Sequence, residues 1–218
     1  TASFLSAMGL HSCRLKLFWA SSLLMDYEEH IQRVERRKAA LKVELSVSLE
    51  GLSSIVLEIG CGHGHWLTDY AAKHSSQFCV GIDVIRDRID RSNRKAARAG
   101  LSNIRFIKVE AGEFLESLPE GVAIESVFVL FPDPWPKKRH WKNRIMNSDF
   151  LDSLANRCKE NACLHFRTDH EEYFEWTQEV LPSLGSWHLA SGVEWPFERE
   201  TVFQAKVDFY QSMILEKT

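Results

Sequence analysis

The order of apolar runs and helical patterns predicts an α/β fold, a doubly wound sheet that is mostly parallel and closed by an antiparallel strand. Three observations carry this prediction. Five short β-like runs, at residues 54–59, 78–82, 104–109, 126–130 and 162–166, are separated by stretches whose apolar residues recur at helical spacing. The first run ends in a glycine-rich turn, Gly60-Cys61-Gly62-His63-Gly64, placed where open α/β sheets receive ligands. The last two runs, 187–193 and 206–215, are joined by a polar segment without helical pattern, which suits an antiparallel pair.

A chain of 218 residues, 44% apolar and 26% charged, suits one sizeable core. Residues 26–218 read as a single domain with a helix at its start, and 1–25 as an extension expected to be disordered. Within that extension, 15–25 is too short to span a bilayer, and no clean small-residue cleavage site follows. Met8 and Met25 are both candidate starts. Five cysteines show neither C-x-x-C nor zinc-ligand spacing. Cys79 and Cys163 lie in apolar runs, as buried thiols in a reducing cytoplasm do. His63 and His65 form an H-x-H pair with no evident third ligand, so no metal site is expected. The net charge of −3 does not by itself announce a nucleic-acid binder, but the charge is uneven, and local basic patches govern docking. No membrane partner is expected, and monomer and homodimer stay open.

Along the chain, 26–49 reads as a helix on the spacing of Ile31, Val34, Ala39, Leu41 and Leu45. The run 54–59 then delivers Glu58 and the glycine turn, followed by a helix to about Lys73. Glycines leave backbone bare for a ligand, and the helix N-terminus supplies donors. The dinucleotide fingerprint G-x-G-x-x-G fails, since its third glycine position is His65. An acid at Glu58 would repel phosphates but favour an ammonium or sulfonium. The pattern therefore resembles the first motif of S-adenosylmethionine-dependent methyltransferases more than a nicotinamide site. The second run ends at Asp83, which can accept hydrogen bonds from a ribose diol. A helix over 86–99 carries six cations against Asp87 and Asp90, and Gly100 stops it. It reads as an outer helix or as an accessory phosphate-binding face. The third run leads to Glu110, a candidate for an adenine edge with Glu113 as its rival, and to a helix over 113–118. A helix over 147–158, capped by Asn147 or Ser148, follows the fourth run. Asp169, after the fifth run, can either cap the helix 171–180 or serve the site.

The fourth run delivers Phe131-Pro132-Asp133-Pro134-Trp135-Pro136, whose alternating prolines forbid a helix and push Asp133 and Trp135 toward extended geometry. Five cations follow within eight residues, Lys137, Lys138, Arg139, Lys142 and Arg144, with no acid among them. A carboxylate and an indole thus sit on a stiff loop beside a basic patch, an arrangement fit for a polyanion that presents a planar base.

Together, Glu58 to Gly64, the segment Phe131 to His140, Thr168-Asp169 and Thr201-Val202-Phe203-Gln204 resemble the bacterial tRNA (guanine-N7-)-methyltransferases, over about 55–213. The resemblance implies a Rossmann-like methyltransferase sheet, S-adenosylmethionine as cofactor, tRNA as partner and a cytoplasmic place of action. It implies cofactor contacts at Glu58, Gly60, Gly62, Gly64, Asp83, Glu110 and Asp133, with Asp133 also the catalytic residue. Substrate contacts are implied at Lys137, Asp169, Thr201, Val202, Phe203 and Gln204. Lys138, Arg139, Lys142 and Arg144 are expected on RNA phosphates. The family's last motif ends in Glu where this chain has Gln204, which keeps the shape and one acceptor but not the charge. Three other readings stand beside this one: an amino-group methyltransferase, because D-P-W-P is similar to D-P-P-[FYW] loops; a nicotinamide-dependent dehydrogenase; and an RNA-binding homologue with weakened or lost catalysis.

Overall fold

The computed structural model describes residues 28–29, 31–201 and 204–218, so the extension expected to be disordered lies outside the described residues. The chain divides into two units, Thr1–Leu45 and Ser46–Thr218. Helix α1 is described over 31–48. Leu41, Leu45 and Leu49 recur every fourth residue and are buried, while Ile31, Val43 and Val47 are exposed.

The second unit runs β1 (Ser54–Ile59), α2 (His65–Lys73), β2 (Cys79–Asp83), α3 (Arg86–Arg98), β3 (Ile104–Lys108), α4 (Ala111–Ser117), β4 (Ala123–Leu130), α5 (Ser148–Ala155), β5 (Cys158–Thr168), α6 (Glu171–Val180), β6 (Trp187–Leu189) and β7 (Gln211–Lys217). They form one seven-stranded sheet in the order β3-β2-β1-β4-β5-β7-β6. The first five strands pair in parallel, and β7 is antiparallel to β5 and β6. This is the expected doubly wound architecture.

Central strands are apolar because both faces are covered. In β1, every residue from Ile55 to Ile59 is buried. Helices show the opposite economy: α3 buries Ile89, Ser92 and Ala96, spaced three and four apart, and leaves its arginines outside. Trp66, Leu67 and Tyr70 of α2 pack with Phe128 of β4 and with Phe197 from the late loop. The turn after β1 and the loop after β4 flank the point where the strand order reverses, the place where a crevice forms in such sheets.

Some boundaries differ from the expectation. Helix α5 ends at Ala155, and β5 starts at Cys158 instead of 162. Its opening Cys-Lys-Glu-Asn is mostly polar and hides the strand from an apolar-run reading; a register irregularity in β4 and a left-handed Asn161 (φ 60°) accommodate it. The last two strands are β6 and β7, not 187–193 and 206–215. Gly192 (φ 74°) lies in the chain that follows β6, and residues 204–206 form a 3-10 turn. Cys61, Cys79 and Cys158 are buried free thiols, whereas Cys163 is only half-buried. Among the described residues no helix is long and apolar enough to cross a membrane, and no three His, Cys, Asp or Glu side chains gather as metal ligands.

Candidate active site

Three glycines of the β1–α2 turn adopt left-handed backbone: Gly60 (φ 74°), Gly62 (φ 55°) and Gly64 (φ 63°). A side chain is disfavoured there, so the sequence spends glycine. Gly60 and Cys61 donate their N–H groups to the Ile82 carbonyl at 2.9 and 3.0 Å, which ties the turn to the end of β2. Asp83 tightens the same knot. Its Oδ2 accepts from the Gly62 N–H at 3.1 Å and from Arg88 at 3.3 Å, and its Oδ1 accepts from the Ile85 N–H at 2.8 Å. A Cβ at Gly60 or Gly62 would meet nothing within 4 Å, so these two leave an open cradle. Gly64 differs: a Cβ there would lie 2.6 Å from the Phe106 ring and 2.8 Å from Ser92. At Gly64 the missing side chain serves packing against β3 and α3.

Glu58 stands two residues before Gly60. It is 4% exposed, and its Oε2 has no hydrogen-bond partner among the described residues. Burial, and then the neighbouring Asp83 charge, push its pKa up to about 8. A buried acid with an orphaned oxygen beside an open glycine cradle fits a cationic ligand and would repel a phosphate. Glu110 is exposed and caps α4, accepting from the Glu113 N–H at 3.1 Å, so the helix starts at Ala111, two residues before the expectation.

The loop after β4 departs from the expected extended path. Phe131 (φ 52°) and Trp135 (φ 45°), both followed by proline, are left-handed, a strained state that needs support from around it. The Phe131 N–H donates to the Arg167 carbonyl at 2.7 Å. Asp133 Oδ1 accepts from the Trp135 N–H at 3.2 Å, and the Pro134 carbonyl accepts from Arg144 Nε at 2.9 Å. Asp133 itself is exposed, free to face a ligand.

Lys137, Lys138, Arg139 and Lys142 are exposed on or beside the 3-10 turn Lys138–Asn143. Arg144 is not part of that surface, contrary to expectation. Its guanidinium is fully buried, 4.3 Å from the Trp141 ring, 4.8 Å from Tyr173 and 5.1 Å from Trp176. Burial lowers its pKa, and Glu172 at 3.7 Å opposes this. Aromatic faces hold the cation where solvent is excluded, so Arg144 braces the Asp133 loop and is withdrawn from phosphates.

Asp169 is exposed and does not cap α6; His170 does, accepting from the Tyr173 N–H at 3.3 Å. Gln204 donates its N–H to Thr201 Oγ1 at 3.0 Å, and the Thr201 N–H donates to Gln204 Oε1 at 3.4 Å. This reciprocal pair is a capping box, in which Gln serves as well as Glu. Val202 and Phe203 lie outside the described residues.

Arg167 was not foreseen as a site residue, yet it joins these parts. It is 3% exposed and forms a double contact with Glu198 at 2.9 and 3.2 Å. It also donates to Ser212 at 2.9 Å and to Gln204 at 3.4 Å, and it lies 4.0 Å from the Trp195 ring. Its carbonyl holds Phe131, so one residue links the Asp133 loop to the Thr201–Gln204 segment. An arginine ending an apolar strand was the available signal; its partners are 31 to 45 residues away in sequence.

The family model described as "Putative methyltransferase" matches residues 53–212. A protein of Halorhodospira halophila named tRNA (guanine-N(7)-)-methyltransferase is 39% identical over 139 residues, 62% of this chain and 60% of that protein. Proteins of the same name from Nitrosomonas eutropha (38% over 128 residues, 59% of this chain and 57% of that protein) and Thermotoga maritima (33% over 164 residues, 72% and 52%) are also similar. The chain thus spans 52 to 60% of the length of these relatives. Among solved structures, 16S rRNA methyltransferase KamB superposes with a TM-score of 0.56 at 17% identity, covering 81% of this chain and 93% of that one. TrmN from Thermus thermophilus gives 0.54 at 15%, covering 81% and 48%. These two likenesses speak to the fold. With its glycine cradle, buried acid and doubly wound sheet, and with the family match over most of its length, the chain belongs to this methyltransferase family.

Proposed function

We propose that this chain transfers the methyl group of S-adenosylmethionine to N7 of a guanine in tRNA, in the variable loop by family resemblance. The observation that carries the reading is the junction of two loops at the strand-order reversal: the open glycine turn with Glu58 after β1, and Phe131 to His140 after β4, both inside the residues 53–212 that the methyltransferase family model matches. Such work suits the cytoplasm.

Bound in the cradle, S-adenosylmethionine supplies an electrophilic methyl group on a sulfonium. Glu58 and Asp83 would hold its cationic and ribose parts, and Glu110 its base. Guanine N7 carries a free lone pair, so the protein needs no general base. Its task is alignment and charge management. Asp133, exposed on a braced loop, would hold the guanine while positive charge moves onto the base. Asp169, Thr201 and Gln204 would contact the same nucleotide, and Lys137, Lys138, Arg139 and Lys142 the flanking phosphates.

The test is transfer of labelled methyl from S-adenosylmethionine to unmodified tRNA, with the product nucleoside identified. N7-methylguanosine supports the reading; a methylated amino group overturns the choice of atom, and binding without transfer favours an RNA-binding homologue. Asp133→Asn should fold normally and lower turnover by about two orders of magnitude or more, as loss of a group that acts in the transition state does. Near-normal turnover would refute its role.

A further inference from the structure

The proposed function leaves one charged surface unused. Arg91, Arg94, Lys95 and Arg98 follow each other at helical i, i+3, i+4 and i+7 positions along α3 and, with His63 and His65 of the glycine turn, line an open cleft of about 560 Å³. Lys95 Nζ donates to the His63 carbonyl at 2.8 Å, which fixes the row against the turn. Arg91, Arg94 and Arg98 make no hydrogen bond or ion pair among the described residues, although Asp87 and Asp90 lie one turn before Arg91 and Arg94. Nearby, Asp69 is engaged by Arg199 at 2.8 Å. Like charges at this spacing repel one another. The row acts on the turn as well: His65 is pushed below its ordinary pKa by burial first, then by Lys95 and His63.

A row of cations in which Arg91, Arg94 and Arg98 are uncommitted destabilises the free protein and is stabilised by a polyanion. Seven residues of helix span about 10 Å, the rise of about three stacked nucleotides. Helix α3 packs on β2 and β3, beyond the glycine turn, while the Lys137–Lys142 patch follows β4 on the other side of β1. The cradle therefore lies between two basic surfaces.

We infer that the α3 row and the His63–His65 turn form a second RNA site, which binds the phosphodiester backbone of tRNA at a distance from the methylated base. This rests on the proposed tRNA substrate.

The test compares tRNA binding by the whole protein across 50–200 mM salt for the native chain, Arg94→Gln/Arg98→Gln, and a charge control, Lys159→Gln/Lys217→Gln, at the opposite end of the sheet. Each lost phosphate contact should make the slope of log K against log salt shallower by about 0.7–0.9. The α3 pair should therefore flatten the slope by about 1.5 and weaken binding by about tenfold or more, with S-adenosylmethionine affinity unchanged as the sign of an intact fold. The control pair should bind as the native chain does. An α3 pair with native slope and affinity overturns the second site and leaves the tRNA reading standing. So does an equal loss in the control, which would trace the effect to net charge. A native chain that binds no tRNA overturns both.

Discussion

Glu58 is the residue whose chemistry is most constrained by its setting. Water is excluded around it, Asp83 is charged nearby, and no donor among the described residues reaches Oε2. With its pKa near 8, it is mainly neutral at pH 7 in the free protein. A sulfonium or ammonium placed beside it stabilises the charged form, so binding must expel a proton. At pH 7, S-adenosylmethionine binding followed by calorimetry in buffers of different ionisation enthalpy should release close to one proton. Glu58→Gln should bind more weakly and release none. Unchanged proton release in that variant would assign the proton to another group.

The turn between β1 and α2 shows how the same residue type serves different ends. Gly62 gives an open face, whereas Gly64 gives room to Phe106 and Ser92. Gly62→Ala should cost about 1–2 kcal/mol for the left-handed backbone alone and weaken the cofactor. Gly64→Ala adds overpacking and should cost about 2–5 kcal/mol in urea unfolding. Equal costs at the two positions would contradict this division. The loop after β4 depends on Arg144 in a similar way. Arg144→Met keeps the packing volume but leaves the Pro134 carbonyl without its donor. A loss of about 1–3 kcal/mol is expected, with a lower turnover on tRNA and native cofactor affinity. If Arg144 instead gripped phosphate, the variant would keep its stability and lose the salt dependence of RNA binding.

Across the whole molecule, two buried groups shape stability in opposite directions. Glu58, raised from 4.5 to about 8, contributes stability that is full below pH 4.5 and lost as pH rises toward 8. His165 is stacked on Phe128, and burial lowers it from 6.5 to about 4. It contributes stability present above pH 6.5 and lost as pH falls toward 4. The two offset each other between pH 4.5 and 6.5 and leave a decline between 6.5 and 8. Thermal midpoints of Glu58→Gln should lose that alkaline decline and show an acid one below pH 6.5. A variant with the native profile would remove Glu58 from the account.

The sequence by itself determined the sheet and most of the cradle. Apolar runs that end in Glu58-Ile59-Gly60, in Asp83 and in Leu130-Phe131 are local signals, because burial on both faces of a parallel strand and left-handed turns each demand residue types at fixed spacing. The tertiary structure alone decided which charges face solvent. Arg144 and Arg139 look alike in a basic run, yet Trp176 and Tyr173, from a helix far along the chain, bury one and leave the other outside. Arg167, Glu198, Gln204 and Ser212 likewise meet only when β7 returns beside β5. Desolvation and pairing depend on what is close in space, and a chain's spacing encodes that only for residues within a turn of one another.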